Sequence, residues 1–236
     1  MQNSFSRISW LWCGFSTREW GDLSKESFRR RDTSFNTFAQ SLGVTLENFV
    51  LMGQVHGNNV RIMNQRDAGS VIDQTDGLVT KEKGLVLVVQ TADCLPILFA
   101  DVSKKIIGVA HAGWRGTLAG IGASVVNSMT QLGSDPKDIL IDSGPCLGPC
   151  HFEVKEDVFV LFKDKFGADK DINIERKGKT FLDLRKANFK LLLEAGINPL
   201  NIKTVGRCTY CQPENFFSFR RDGNDFRQMG WVGIKK

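Results

Sequence analysis

Apolar positions along the chain gather in short, β-branched runs. Residues 84–90, "GLVLVVQ", then "LPILFAD" at 95–101 and "KKIIGVA" at 104–110, are apolar stretches of strand length with almost no polar face. Runs of this kind predict strands covered on both sides. The period then changes. In "GTLAGIGASVVNSMTQLG", Leu118, Ile121, Val125 and Met129 recur at close to helical spacing, and Gly133 supplies a stop. "DILIDSG" predicts another strand, "VKEDVFVLFKDKFG" an amphipathic helix, and "DLRKANFKLLLEAG" a helix that opens on Asp and closes on Gly. "IKTVG" and "FFSFRR" add two strand candidates. The mixture predicts an α/β or α+β fold with mixed sheets, because helices and strands alternate too irregularly for a barrel of repeated units. No repeat, low-complexity stretch or Pro/Ser-rich linker divides the chain, so residues 1–236 read as a single domain.

Composition acts by exclusion. With 42% hydrophobic and 24% charged residues, the chain has the make-up of a soluble globular protein. No apolar segment approaches the length that spans a bilayer, so no membrane partner is expected. The N-terminal stretch through Trp20 lacks the apolar core and cleavage site of a secretory signal, which points to the cytoplasm. Its six cysteines then read as thiols or ligands rather than disulfides. The net charge of +5 is mild, and its densest cluster is the three arginines at 29–31. Without a recognition motif or a basic stripe interleaved with aromatics, no nucleic-acid partner is expected.

Only three histidines occur: His56 in "QVHGNNV", His111 in "VAHAGWRG" and His151 in "PCHFEV". A histidine is most often a surface or hydrogen-bonded core residue. His56 and His111, however, each follow an apolar stretch and precede small residues, as side chains at strand ends do where ligands are held. Cys94 sits similarly, after "LVLVVQTAD" and before Leu95-Pro96. If the three converge, one sulfur and two nitrogens leave a fourth position open, the form of a catalytic zinc site. Cys94 as a nucleophile served by His111, with Asp93 orienting the imidazole, uses nearly the same residues. Cys94 as a core thiol is the third reading. The pairs Cys146/Cys150 in "CLGPC" and Cys208/Cys211 in "CTYC" could together make a structural zinc site of four cysteines, with packed thiols as the plainer alternative.

"QVHGNNV", "DGLVT", "TADCLPILFAD", "GVAHAGWRGTLAGI", "GPCLGPCHFEV", "FLDLRKAN" and "CTYCQPENFFSFRRDG" follow one another in an order that resembles the YfiH/laccase-domain family. This family is also called the multicopper polyphenol oxidoreductase or peptidoglycan-editing-factor family. The resemblance covers roughly residues 50–234. It implies a cytoplasmic, YfiH-like α/β/β/α sandwich that binds one zinc ion through His56, Cys94 and His111. It also implies a purine nucleoside enzyme, which phosphorolyses adenosine, inosine and S-methyl-5'-thioadenosine to base and (methylthio)ribose 1-phosphate and deaminates adenosine. Its small-molecule partners would be nucleosides and phosphate. Monomer and dimer both stay open. A multicopper oxidase fills its centres mainly with imidazoles, and three histidines cannot supply them. A single copper in the same site in vitro is compatible with the usual affinity order.

Zinc held by three ligands carries a water whose pKa falls towards neutrality, and the hydroxide so formed can attack purine C6 in deamination. Asp93 is then a candidate proton carrier or orienter, or simply a turn cap. Phosphorolysis needs an anion site. Arg115, read as lying just ahead of a helix, could hold phosphate together with the helix's first N–H groups, and Arg18 could add a second fork; a surface salt bridge is the plain alternative for Arg115. The N-terminal segment departs from the family pattern: "STREWGDLS" has Trp20 in place of a glycine, and "GNDFRQMG" has Phe226 where glycine is common. Both are expected to put bulk near the pocket. Two rival functions are a metal-independent cysteine hydrolase or amidase using Cys94 and His111, and a non-catalytic peptidoglycan-precursor editing partner.

Overall fold

Three apolar runs in succession, with turns too short for a helix between them, can only pair with one another or with neighbouring strands, and the computed structural model shows both. It describes Phe5 and residues 8–236; residues 1–4, 6 and 7, where the stretch read for a secretory signal begins, lie outside the described residues. The first strand and helices among the described residues are β1 (Leu11–Phe15), α1 (Lys25–Arg29) and α2 (Thr33–Ser41). Seven strands follow: β2 (Phe49–Gly53), β3 (Val60–Ile62), β4 (Val71–Asp73), β5 (Gly77–Thr80), β6 (Val86–Thr91), β7 (Leu95–Asp101) and β8 (Ile106–Ala112). Then come α3 (Trp114–Leu118), α4 (Ile121–Gln131), β9 (Ile139–Ser143), β10 (Glu153–Val154) and α5 (Glu156–Phe166). β11 (Asn173–Arg176), β12 (Lys179–Leu182), α6 (Leu184–Glu194), β13 (Ile202–Thr204), α7 (Phe219–Asp222) and β14 (Gln228–Ile234) complete the order.

One five-stranded sheet has the order β1-β14-β6-β2-β4 and one six-stranded sheet the order β13-β9-β7-β8-β5-β3. Both mix parallel and antiparallel pairs; a small antiparallel sheet, β10-β12-β11, stands apart. Alternation along each strand assigns the layers. Leu87 and Val89 of β6 share a core with Leu98 and Ala100 of β7 and Ile107 and Val109 of β8, between the two large sheets. Val86 and Val88 face the opposite way, onto Phe35 and Phe38 of α2. Ile97, Phe99 and Ala110 pack on Val125, Val126 and Met129 of α4 and on Leu192 of α6. The result is an α/β/β/α sandwich, and its doubly covered strands account for the unbroken apolar runs. Among the described residues, no helix is long and apolar enough to cross a membrane.

Three local expectations are corrected. The helix expected over 116–133 is two helices, because Gly120 adopts φ 77° between α3 and α4. Arg115 therefore lies inside the short α3 rather than ahead of a long helix. "FFSFRR" is not a strand: Phe216 and Phe217 are buried, but Phe216 N–H donates to Gln212 C=O in a turn and their other backbone groups bond to side chains. Gln228 Oε1 accepts from Phe217 N–H, Gln228 Nε2 donates to Phe217 C=O, and Arg221 donates to Phe216 C=O. Ser218 then caps α7 by accepting from Arg221 N–H. Trp20 turns towards α2, edge-on to Phe38 at 5.2 Å, and is not among the cavity-lining residues described below.

Phe38 also meets Trp231 edge-on at 4.7 Å, so it joins α2 to the five-stranded sheet. Phe38→Ala is expected to lower the unfolding free energy by about 3–5 kcal/mol in urea denaturation, the cost of an emptied aromatic site. A loss below about 1 kcal/mol would mean that this layer is loosely packed.

Candidate metal centre

Asp76 stands at the entry to β5 and is fully buried. The pairing around it is antiparallel: Gly77 opposes Ala110, Leu95 opposes Ala112 and Pro96 opposes His111. Asp76, His111 and Cys94 thus come from adjacent strands at one end of the six-stranded sheet. His56 arrives from the other sheet, on the loop after β2. The Asp76 carboxylate joins these parts. It lies 2.8 Å from His111 Nδ1 and accepts backbone N–H bonds from His56 at 2.9 Å, Gly57 at 2.8 Å and Val55 at 3.2 Å. His56 has φ 63°, a left-handed conformation that is strained for a residue with a Cβ. Three N–H bonds to one carboxylate hold the loop in that shape.

With Nδ1 directed at Asp76, Nε2 is the nitrogen of His111 left for the cavity side. The donor atoms of His56, Cys94 and His111 all lie within 4.8 Å of one another, and the two imidazoles meet edge-on with centroids 4.8 Å apart. His56 is exposed, Cys94 partly buried and His111 buried. Gly113 makes room for the group: a Cβ there would stand 2.9 Å from His56 Cδ2 and 3.2 Å from Cys94 Sγ.

Electrostatics match the geometry. Burial pushes the Cys94 thiol up, but the charge and hydrogen bond of His111, with a hydrogen bond from His56, outweigh it and bring the thiol down to about 6. Burial opposes charge on His111 as well, yet the Cys94 charge and the Asp76 hydrogen bond raise it to about 9. Burial also works against the Asp76 charge, while the His111 and backbone hydrogen bonds win and lower its pKa. The two opposite shifts favour a thiolate on Cys94 beside a protonated His111 near neutral pH when no metal is bound. A divalent cation can displace the extra proton on His111, and one sulfur with two imidazole nitrogens suits such an ion. The carboxylate behind His111 is the usual outer partner of a metal-bound imidazole.

His56, Cys94 and His111 line a cavity of about 850 Å³. Asp93, Arg115 and Phe226 line it too. Asp93, at φ 96°, accepts from the Thr209 hydroxyl at 2.6 Å and from Arg220 N–H at 2.7 Å, so each of its carboxylate oxygens has a donor. Arg115 is exposed, lies 4.0 Å over the Trp114 ring, and has no carboxylate partner among the described residues. Arg18 is set apart from this group. Its guanidinium donates to Pro213 C=O and covers the Phe217 ring, and it is not among the cavity-lining residues. Phe226 does reach the rim, as its bulk suggested.

Asp76, Trp114 and Arg220 were not singled out from the sequence. Asp76 had a faint signal, as the polar residue that opens the strand-like "DGLVT". The four cysteines of "CLGPC" and "CTYC" do not all meet: Cys146 is buried in the apolar core, and His151 takes its place beside Cys150, Cys208 and Cys211.

Asp76→Ala removes the carboxylate that orients His111 and holds the His56 loop. The affinity of this donor set for zinc, titrated against a competing chromogenic chelator, is expected to fall by about 10–100-fold. An unchanged affinity would show that Asp76 does not position the donors.

The sequence model described as multi-copper polyphenol oxidoreductase laccase matches residues 14–235. The human purine nucleoside phosphorylase LACC1 is 35% identical over 244 residues, covering 94% of this chain and 55% of its own; the chain thus spans about half the length of that relative. The Bacillus subtilis purine nucleoside phosphorylase YlmD is 32% identical, with 94% of this chain and 88% of the relative covered. Adenosine deaminase RL5, from an unknown prokaryotic organism, is 37% identical over 79% of this chain and 75% of its own. Among solved structures, the Bacillus licheniformis hypothetical protein YfiH superposes with a TM-score of 0.88 at 29% identity, covering 97% of this chain and 94% of that one. With a family model spanning nearly its whole length and relatives above 30% identity along most of it, the chain belongs to the multi-copper polyphenol oxidoreductase laccase family.

Proposed function

We propose that the protein is a zinc-dependent purine nucleoside enzyme that phosphorolyses adenosine, inosine and S-methyl-5'-thioadenosine and also deaminates adenosine. One observation carries this reading: three metal-donor atoms converge in a cavity whose wall holds an arginine with no acidic partner among the described residues. The relatives named purine nucleoside phosphorylase and adenosine deaminase supply the substrate class. Its partners are then nucleosides and inorganic phosphate, with no role for nucleic acid.

His56, Cys94 and His111 would hold the zinc ion. When bound, the ion supplies a Lewis acid at the side of the cavity. The chain's own groups do the remaining work. Asp76 keeps the Nδ1 proton of His111 in place and so presents Nε2 as a donor atom. Arg115 offers a planar guanidinium to phosphate, matched to two phosphate oxygens. In phosphorolysis a phosphate oxygen bonds to C1′ as the C1′–N9 bond breaks, and the base leaves with the electron pair and takes up a proton. Phe219 and Phe226, 55% and 49% exposed in the cavity lining, offer apolar faces that a purine ring would cover. Asp93, with both oxygens engaged, acts in this reading as a positioning residue that ties the Thr209 segment and the start of α7 to the neighbourhood of Cys94. Cys94 bound to a metal is a poor nucleophile, which separates this reading from a cysteine hydrolase.

Incubating the zinc-loaded protein with adenosine and phosphate, then separating adenine, inosine and ribose 1-phosphate, tests the proposal. Both adenine with ribose 1-phosphate and inosine are expected, and Cys94→Ala is expected to abolish both. Turnover that survives complete chelation yet is lost in Cys94→Ala would assign the chemistry to Cys94 as a nucleophile instead. No turnover of any nucleoside by fully metal-loaded protein would overturn the reading.

Arg115→Ala is expected to raise the KM for phosphate by about tenfold or more, the loss of a charge-assisted hydrogen bond worth ~1.5–3 kcal/mol. Deamination should change far less. Equal losses in the two reactions would place Arg115 outside the phosphate site.

A further inference from the structure

We propose that Cys150, His151, Cys208 and Cys211 form a second metal site, a closed structural zinc centre separate from the cavity. Their donor atoms all lie within 4.8 Å of one another. Cys150 Sγ is 3.6 Å from Cys211 Sγ, and Cys211 Sγ is 3.3 Å from His151 Nδ1. In a tetrahedral site with Zn–S of about 2.3 Å, two sulfurs stand about 3.8 Å apart and a sulfur–nitrogen edge is slightly shorter. The side chains are thus already near the edges of such a tetrahedron. Three sulfurs and one nitrogen fill all four positions, the form of a structural rather than a catalytic site.

The backbone brings the two halves together without the side chains. Cys146 and Cys208 form a β-bridge, Cys146 N–H donates to Arg207 C=O at 3.2 Å, and Thr209 N–H donates to Cys146 C=O at 3.0 Å. This directs the Cys146 thiol into the core and leaves the next turn to present Cys150 and His151. Gly148 occupies that turn. Its N–H donates to Cys208 Sγ at 3.3 Å, and a Cβ there would meet Cys150 Sγ, Cys208 Cβ and Arg185 Nη2, each at 3.3 Å. Two arginines border the group: Arg176 donates to Cys150 C=O at 3.2 Å, and Arg220 reaches His151 C=O at 3.5 Å and Glu153 C=O at 3.0 Å. Zinc with three thiolates and a neutral imidazole carries one net negative charge, which these cations complement. Binding releases three thiol protons to solvent and changes no oxidation state.

The site would pin the "CTYC" turn. His151 stacks on Tyr210 with centroids 4.1 Å apart, and the Thr209 hydroxyl of the same turn reaches Asp93, the neighbour of Cys94. It would thus hold a cavity wall in place, and it stands whether or not nucleosides are the substrates.

Native alkylation with iodoacetamide, mapped by mass spectrometry, reads the site without any variant. Cys150 and Cys211, although exposed, are expected to stay unlabelled in the zinc-loaded protein, and Cys150, Cys208 and Cys211 to become reactive together once a chelator is added. Labelling of Cys150 and Cys211 in the zinc-loaded protein would overturn the proposal. So would protection lifted by a reductant but not by a chelator, which would mean a disulfide. In parallel, Cys150→Ser and Cys211→Ser are each expected to lose one zinc equivalent per chain by elemental analysis, in addition to any lost by Cys94→Ser. An unchanged zinc content in both would contradict the assignment.

Discussion

A single buried carboxylate holds the cavity end of the molecule together. Asp76 takes its donors from two directions: the His111 ring on its own sheet, and three consecutive N–H groups on the loop that leaves the other sheet. A buried charge is costly unless such partners surround it, and here every partner is also a part of the donor set or of the loop that carries it. The same bonds stabilise the left-handed backbone of His56 and select which nitrogen of His111 is presented. Two of the three candidate ligands are therefore set by one group that is not itself a ligand.

The sandwich supplies what that carboxylate needs. Strands covered on both faces have little freedom to slip, because a shift of one residue would exchange the inter-sheet core for the helix-covered one. Register is consequently firm where it matters, with Pro96 opposite His111 and Gly77 opposite Ala110. Gly113 completes the arrangement by leaving the volume that His56 and Cys94 occupy. Strand ends and the loop pinned by Asp76 thus carry the donors, while α3, α7 and the segment carrying Phe226 contribute walls of the cavity. Asp93 links these walls to the donor set through Thr209 and Arg220.

What could be read in advance follows from how local each signal is. β6, β7 and β8 were legible because double burial writes itself as an unbroken apolar run. His56, Cys94 and His111 were legible as candidates because each ends an apolar stretch beside small residues or proline, and the structure brings them together. Asp76 was not, since an aspartate before a strand reads as an ordinary turn residue until its partners, tens of residues away, are known. "FFSFRR" misled because the burial of Phe216 and Phe217 is genuine while their backbone bonds go to Gln212 C=O and to the Gln228 and Arg221 side chains rather than to a strand ladder. Trp20 and Phe226 looked alike as bulky replacements, yet one packs on Phe38 and the other lines the cavity. Spacing could not tell that His151, and not Cys146, faces the remaining cysteines, because side-chain direction in a turn depends on the bridge that fixes it. The family's description as multi-copper is a case where composition speaks more plainly than a name: three histidines, one of them beside the second cysteine cluster, leave no set of imidazoles for several copper centres.

The most direct test is anomalous diffraction at the zinc absorption edge on crystals of the zinc-loaded protein. The expected result is a peak at bonding distance, about 2.0–2.3 Å, from His56, Cys94 Sγ and His111 Nε2, with the Asp76 carboxylate still on His111 Nδ1. A fully loaded crystal with no peak among these three donors, or with Asp76 turned away from His111, would contradict the central claim.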